Sequence, residues 1–392
     1  MEYDLRYATR FVKPMLGIIG VWPIPATSSF SSKVLQKIEI ALTYFLSFVM
    51  ITPPLMHMFL REKNPKIKLK LLGPLVNCGM QIGKYTILLW RMKEIRNALD
   101  TIREDWLNTT EENQLIYKEK AKFGRKVILI VTASVYGGGL CYRIILPLLK
   151  GTIVTAGNVT VRPLPISSYL VFIDEQKTPN YEILFVLQVI AGFVTYGIIS
   201  GSCGISALFI LHTCSMMMIL MNKMKKLVNK TDTSEAVVQR KIADIVEYQI
   251  KIKKFLKNIE TITEYIYLIE MVGGTCLICL VGYYILMEWE NTNTTAIVTY
   301  IMLQISFISN VFIVCYIGQL LVDQNEIVGE TACTVNWYHL STKHVRCLIL
   351  IIAMSNSPMK LMAGKMLDMS LTTFTDVVKV SMGYLNILRG VI

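Results

Sequence analysis

Apolar stretches long enough to cross a bilayer recur seven times along this chain, and no other feature limits the fold so strongly. They run over about 38–60, 69–90, 127–149, 181–213, 262–287, 296–322 and 345–388. A crossing takes roughly 20 predominantly apolar residues of helix. Composition agrees: 53% of residues are hydrophobic and 17% charged, with mean hydropathy +0.48, where a soluble domain carries about a quarter charged. The expectation is an all-α membrane protein of seven transmembrane helices forming one domain over residues 1–392. No internal repeat, low-complexity tract or boundary for a separate soluble unit interrupts it. The opening MEYDLRYATRFVKPMLG lacks an apolar core followed by a small-residue cleavage site, so it does not read as a secretory signal.

The stretches are not alike. Pro53-Pro54 should kink the first, and the second should run on as an amphipathic rod, because Ile95, Leu99, Ile102 and Trp106 recur at helical spacing. A Pro- and Gly-containing loop over 150–180 is too long and polar to be a turn. The fourth apolar run, from 181 to about 221, exceeds one crossing, so its end should project beyond the bilayer beside the charged segment 222–257. Gly197, Gly201 and Gly204 make a smooth stripe on it that admits another helix closely. The last stretch is broken. Its first run, Cys347–Met354, ends at Ser355-Asn356-Ser357-Pro358, and a second run, Met366–Leu388, carries Asp376 and Lys379 in its middle. Ionisable residues in a membrane helix face protein or water and so mark a pathway. The alternative is a plain last helix in which these two, three apart, pair with each other.

A net charge of +12 in a soluble chain would suggest nucleic acid, but here the basic residues lie in loops beside the spans and read as topology. With the N-terminus inside, the inner segments hold 26 Lys and Arg against nine in the outer ones. This places the N-terminus in the cytoplasm and the C-terminus outside, against the dissent of five basic residues in 61–70. The sequons at Asn158 and Asn293 then fall in outer loops and are candidate glycosylation sites, whereas those at Asn108 and Asn229 fall inside. A G-protein-coupled chemoreceptor needs the opposite orientation, and a polytopic transporter more often shows repeated halves with matching broken helices. Both stay as alternatives from other functional classes.

No catalytic or metal constellation emerges. His57, His212, His339 and His344 are scattered, Gly137-Gly138-Gly139 sits inside a span with no following phosphate-binding Lys, and Cys276-x-x-Cys279 has no second pair. Most of the nine cysteines lie in apolar runs, where they behave as small hydrophobes. The chain reads as a non-enzyme without cofactor. Arg143, near the outer end of the third span, either snorkels to the interface or pairs with an outer carboxylate, and snorkelling is the expected outcome.

The order of residues in the last sixty positions also resembles a known family. Trp337-Tyr338, Arg346, Ser357-Pro358, Leu361-x-Ala363-Gly364, Ser370-Leu371-Thr372-Thr373-Phe374 and Lys379-x-Ser381-x-x-Tyr384 are similar to the C-terminal signature of insect odorant receptors. Elsewhere the resemblance to the family is looser, in Gly20-x-Trp22-Pro23 near the start, Asp105-Trp106 after the second span and the overall layout. The resemblance implies an odorant-binding subunit of a ligand-gated, non-selective cation channel. It implies assembly with shared co-receptor subunits in a tetramer, in the plasma membrane of olfactory sensory neurons. Lacking the co-receptor's longer second inner loop, this chain resembles the variable, tuning partner, and it lacks the Thr-Tyr…Gln-Phe ending of gustatory receptors. The family's central pore is lined by the second half of the last span, with an apolar ring as gate. Matched outward from Tyr384, that ring falls on Ile387 and Leu388, with Asp376 and Lys379 below; Arg389 and Gly390 depart from the co-receptor's Val and Gln. Helices projecting into the cytoplasm, roughly 214–260 and 323–350, would form the intersubunit anchor. The odorant pocket would lie in the outer half, and its expected contacts are Gln81 and Tyr85, Tyr136 and Leu140, Phe193 and Tyr196, Tyr283, Tyr300 and Gln304. For each of these, ordinary helix packing is the alternative. The partners implied are a small volatile odorant, the co-receptor and membrane lipid, with no nucleic acid.

Overall fold

A computed structural model of the 392-residue chain describes residues 7–25, 28–151, 153–154, 160–171, 174–227, 235–290 and 292–391. The helices are α1 Val12–Ile18, α2 Phe30–Met56, α3 Pro65–Trp90, α4 Met92–Leu107, α5 Glu111–Leu140, α6 Leu146–Lys150, α7 Asn180–Lys225, α8 Glu235–Glu290, α9 Thr294–Cys333, α10 Thr342–Ser355 and α11 Leu371–Val391. Two short antiparallel hairpins pair β1 Ile153–Val154 with β2 Thr160–Val161, and β3 Met362–Ala363 with β4 Leu367–Asp368. Five helical stretches, Phe30–Arg61, Glu111–Leu149, Asn180–Lys225, Glu235–Glu290 and Thr294–Cys333, are long and apolar enough to cross a membrane. α3, with Lys66, Lys68, Lys70 and Lys84, and the broken last segment fall short of that simple test.

α7 is the axis of the bundle. Every residue from 195 to 217 is buried, because α1, α2, α5, α8 and α9 all pack on it. A helix surrounded on all sides carries no charged face, and the polar residues of this one are small hydroxyls such as Thr195, Ser206, Thr213 and Ser215, which donate back to carbonyls four residues earlier, with His212 held by Asp105. The glycine stripe receives α1: a Cβ at Gly201 would stand 2.8 Å from Leu16 Cδ2, and one at Gly204 would stand 3.2 Å from Val12 Cγ2. Val12, Leu16, Ile19 and Val21 are fully buried there, and Tyr85 Oη donates to the Ile19 carbonyl at 2.8 Å. A segment that reads as basic and irregular is therefore part of the core.

The expected rod after the second span is two helices. The chain turns at Arg91 between α3 and α4, and α4 buries Ile95, Ala98, Ile102 and Trp106 while Leu99 stays partly covered. α2 runs on through Pro53-Pro54 and widens into a π turn over His57–Arg61; there the Pro53 carbonyl accepts from the His57 amide and also from the Tyr169 amide at 3.0 Å, which ties the loop after β2 to this helix. α7, α8 and α9 extend well beyond their apolar stretches, and with α4 and α10 they form one end of the bundle. The loop between α6 and α7 lies at the other end.

The broken last segment is held by its neighbours. Gln249 on α8 donates to Ser355 Oγ at 2.7 Å, and Asn325 on α9 donates to the Ser357 carbonyl at 3.3 Å, so the polar break is satisfied inside protein. Gly364 and Lys365 take positive φ, 57° and 59°, to reverse the chain between β3 and β4, and Leu361 and Ala363 are buried beside α8. Ser370 then caps α11, its hydroxyl accepting from the Thr373 amide at 3.3 Å. The ordered C-terminal motif thus spells a hairpin turn and a helix cap. Asp376 and Lys379 are both exposed and form no ion pair among the described residues, so the pairing alternative does not hold.

Candidate functional site

Between α3, α5, α7, α8 and α9 the bundle encloses a cavity with about 60 Å³ open to water-sized molecules, room for several of them. Its walls are aromatic and aliphatic, with Tyr142, Tyr196, Tyr284, Tyr300, Phe307 and Leu277 prominent. Close approach makes the shape. A Cβ at Gly139 would collide with the Tyr196 ring at 2.1 Å, so the ring lies flat on α5 only because that position has no side chain.

Polar groups enter from three sides. Asn77 and Gln81 rise from α3, joined by a 3.2 Å bond from Gln81 Nε2 to Asn77 Oδ1. At the floor, the Glu270 carboxylate accepts from Lys84 Nζ and from Asn310 Nδ2. Because a carboxylate only accepts, Asn310 must present its amide nitrogen to it, which leaves the Asn310 carbonyl oxygen buried and without a partner. Beyond Leu140, α5 widens into a π turn, Cys141–Ile145, which carries Tyr142 and Arg143 on the cavity wall. Arg143 does not snorkel. It is 4% exposed, lies across Gly192, whose added Cβ would meet Arg143 Cδ at 2.7 Å, and donates from Nε to Tyr196 Oη at 2.7 Å. The spacing of α5 could not reveal the gap that glycine leaves on α7.

Of the nine expected contacts, the cavity gathers Gln81, Tyr196 and Tyr300. Tyr85 is turned to α1, and Tyr136 lies edge-on to Tyr196 with its hydroxyl on the Phe193 carbonyl at 3.3 Å. Phe193 faces outward at 42% exposure, and Leu140 is half-buried off the lining. Tyr283 packs in a neighbouring cluster, while Gln304 donates to Ile278 O at 3.2 Å. Lys84, Glu270, Asn310 and Asn77 were not picked out from sequence. Their signal was present: polar and ionisable residues inside apolar runs are expensive and cluster where something is bound.

On α11, Tyr384 and Ile387 are exposed, at 56% and 61%, while Leu388 turns back to pack beside Tyr283 and Tyr284. The two expected gate residues therefore face different ways. Asn293 caps α9 through its side-chain oxygen, accepting from the Ala296 amide at 3.2 Å; Asn158 lies outside the described residues.

A second polar cluster sits at the far end of the bundle, outside the apolar stretch of α3. Asp105 on α4 accepts from Lys251 Nζ and pairs with His212 Nε2 at 3.0 Å, under a Tyr117 ring stacked on the imidazole. Burial alone would raise the Asp105 pKa, but the hydrogen bonds and charges of His212 and Lys251 outweigh it and hold the carboxyl below its ordinary 3.8. A depressed carboxylate stabilises the fold above its unfolded value and loses that contribution as pH falls through the folded one. Asp105→Asn should therefore lower thermal stability at pH 7, by about 1–3 kcal/mol for hydrogen bonds to a buried carboxylate whose lysine partner still reaches solvent. The gap to wild type should close below pH 3.8. Unfolding of the purified protein followed by tryptophan fluorescence across pH checks both parts.

The comparisons with known proteins agree on one family. The family model for the 7tm odorant receptors matches residues 68–382. Odorant receptor 13a of Drosophila melanogaster is 22% identical over 301 residues, covering 74% of this chain and 71% of the relative. Odorant receptor 30a of the same fly is 23% identical over 255 residues, covering 62% and 65%. In three dimensions the chain superposes on the olfactory receptor OR5 of the insect Machilis hrabei in complex with eugenol. The TM-score is 0.83 over 99% of this chain and 100% of the other, at 12% identity. At that identity the likeness is one of fold, and the fold is that of the insect olfactory receptors. With the family model covering residues 68–382, most of its length, this multi-pass membrane chain belongs to the 7tm odorant receptor family, whose members are receptors and not enzymes.

Proposed function

We propose that this protein is the odorant-binding, tuning subunit of a ligand-gated non-selective cation channel, assembled with shared co-receptor subunits in the plasma membrane of olfactory sensory neurons. The observation that carries this reading is the cavity between α3, α5, α7, α8 and α9, whose lining is apolar and aromatic with a few convergent polar groups, the character of small-molecule sites. A ligand that fits it better in one packing of these helices shifts the population toward that packing by its difference in affinity. α11 touches both α8 and α9, so a change in their spacing reaches the pore-lining candidates Tyr384 and Ile387. The N-terminus is placed in the cytoplasm, with α4, α10 and the extensions of α7–α9 as the anchor between subunits.

Whole-cell current tests the reading in cells expressing this chain with and without an insect co-receptor, under a broad volatile panel and with G-protein signalling blocked. Odorant-evoked inward current only in the co-expressing cells is the expected result. A response abolished by the block would overturn the channel reading in favour of a G-protein-coupled one. If Ile387 contributes to a dewetting gate, Ile387→Ala should raise the current at rest without odorant, while the same change at Met382, exposed but about 140° round the helix from Ile387, leaves it unaltered.

A further inference from the structure

We propose that the cavity selects odorants ending in a carbonyl-type oxygen, as a carboxylate or a neutral carbonyl, and that Arg143 is the residue that recognises it. This rests on the ligand-binding reading of the cavity given above and adds the chemical class of the ligand.

The argument is one of unmet charge. A guanidinium carries five N–H donors and is never deprotonated in a protein. Arg143 is 4% exposed and lines the cavity. Its Nε is used by Tyr196 Oη, and the rest of the fork meets sulfur, Met50 Sδ at 3.5 Å from Nη1 and the Cys78 side chain. The Tyr196 ring lies 5.5 Å from the charge, which disperses it without neutralising it. Among the described residues no carboxylate stands within salt-bridge distance of Arg143, whereas Glu270, the acidic residue on the cavity wall, already serves Lys84 and Asn310. The cavity therefore has one cation with spare, planar donors and no counter-ion. A buried charge is expensive unless paired and hydrogen-bonded, and the partner that fits geometry and charge together is an oxygen acceptor of the ligand. Gly192 makes the seat, leaving the space into which the Arg143 side chain is laid. A carbonyl or carboxylate turns in-plane lone pairs to the planar fork, an alcohol accepts without that geometry and spends its own O–H elsewhere, and a hydrocarbon offers no acceptor.

The test measures binding and not current. Thermal stabilisation of the purified full-length receptor is followed with a matched straight-chain set: hexanoic acid, hexanal, butyl acetate, hexanol and hexane. The expected result is stabilisation by the carbonyl compounds at concentrations about 10–100-fold lower than by hexanol or hexane, the range of a charge-assisted hydrogen bond. Hexanoic acid ahead of the aldehyde and ester identifies a carboxylate ligand, and parity among the three identifies a neutral carbonyl. Arg143→Gln should erase the preference, and Arg143→Lys should keep part of it. The wild-type ranking decides even if Arg143→Gln does not fold. Equal stabilisation by all five, or none by the carbonyl compounds, overturns the proposal. Carbonyl-selective binding with no odorant-evoked current would keep it and sink the channel reading instead.

Discussion

Glu270→Ala is expected to cost about 3–5 kcal/mol of stability, the range measured when one partner of a buried ion pair is removed. Against a typical total of about 5–15 kcal/mol, this should leave little folded receptor at the cell surface. Lys84 is 1% exposed and its ammonium has Glu270 as its carboxylate partner. The Asn310 amide depends on the same carboxylate. Truncating it strands a cation and an amide that are both buried in the middle of the bundle. The control is the double variant Lys84→Met/Glu270→Met. Replacing both members with apolar side chains removes the desolvated charges together, and such swaps are close to neutral elsewhere. The double variant should recover most of the monodisperse, detergent-solubilised protein lost in the single one. Equal losses in both would mean that Glu270 matters for a reason other than holding Lys84. The pair also explains how α3 remains a bundle helix despite a lysine in its apolar run.

The second large effect is expected at Gly318. A Cβ there would stand 2.3 Å from the Met369 carbonyl oxygen and 3.0 Å from its carbon. These are backbone atoms, pinned in turn by the Met369 amide on Leu361 O at 2.9 Å. A flexible side chain could swing away, but a hairpin closed by two positive-φ residues and followed directly by a helix cap cannot. Gly318→Ala should therefore push the start of α11 off α9, with a loss at the upper end of the roughly 1–3 kcal/mol typical of overpacking, or beyond it. Gly79→Ala on α3, where an added Cβ meets nothing within 4 Å, should stabilise by up to about 1 kcal/mol through helix propensity alone. Unfolding temperatures of the two variants side by side give the comparison. If the Gly318 variant melts with wild type, α9 does not seat the last helix. Because α11 carries Tyr384 and Ile387, a folded but displaced variant should also alter the resting current.

Much of this protein is legible in one dimension. Runs of apolar residues long enough for a bilayer dictate helices, because hydrocarbon offers the backbone no other partner. The break at Ser355–Pro358 and the ordered signature after it announced a distinct last segment, which the structure resolves into a hairpin turn and a Ser370 cap. The glycine stripe on α7 foretold a close neighbour. These are local properties, written in spacing and residue type.

Which neighbour fills each gap was decided only by the tertiary structure. The stripe at Gly201 and Gly204 receives the short α1, with Ile128 of α5 closing on Gly204 from beside it, and Gly192 makes the seat in which Arg143 turns inward instead of reaching the interface. Lys84, Glu270 and Asn310 lie 186 and 40 residues apart along the chain, and only the packing of α3, α8 and α9 makes them one group. Periodicity tells a helix which face is apolar. It carries no information about what stands opposite that face, and in a cavity built from five helices the chemistry depends on what stands opposite.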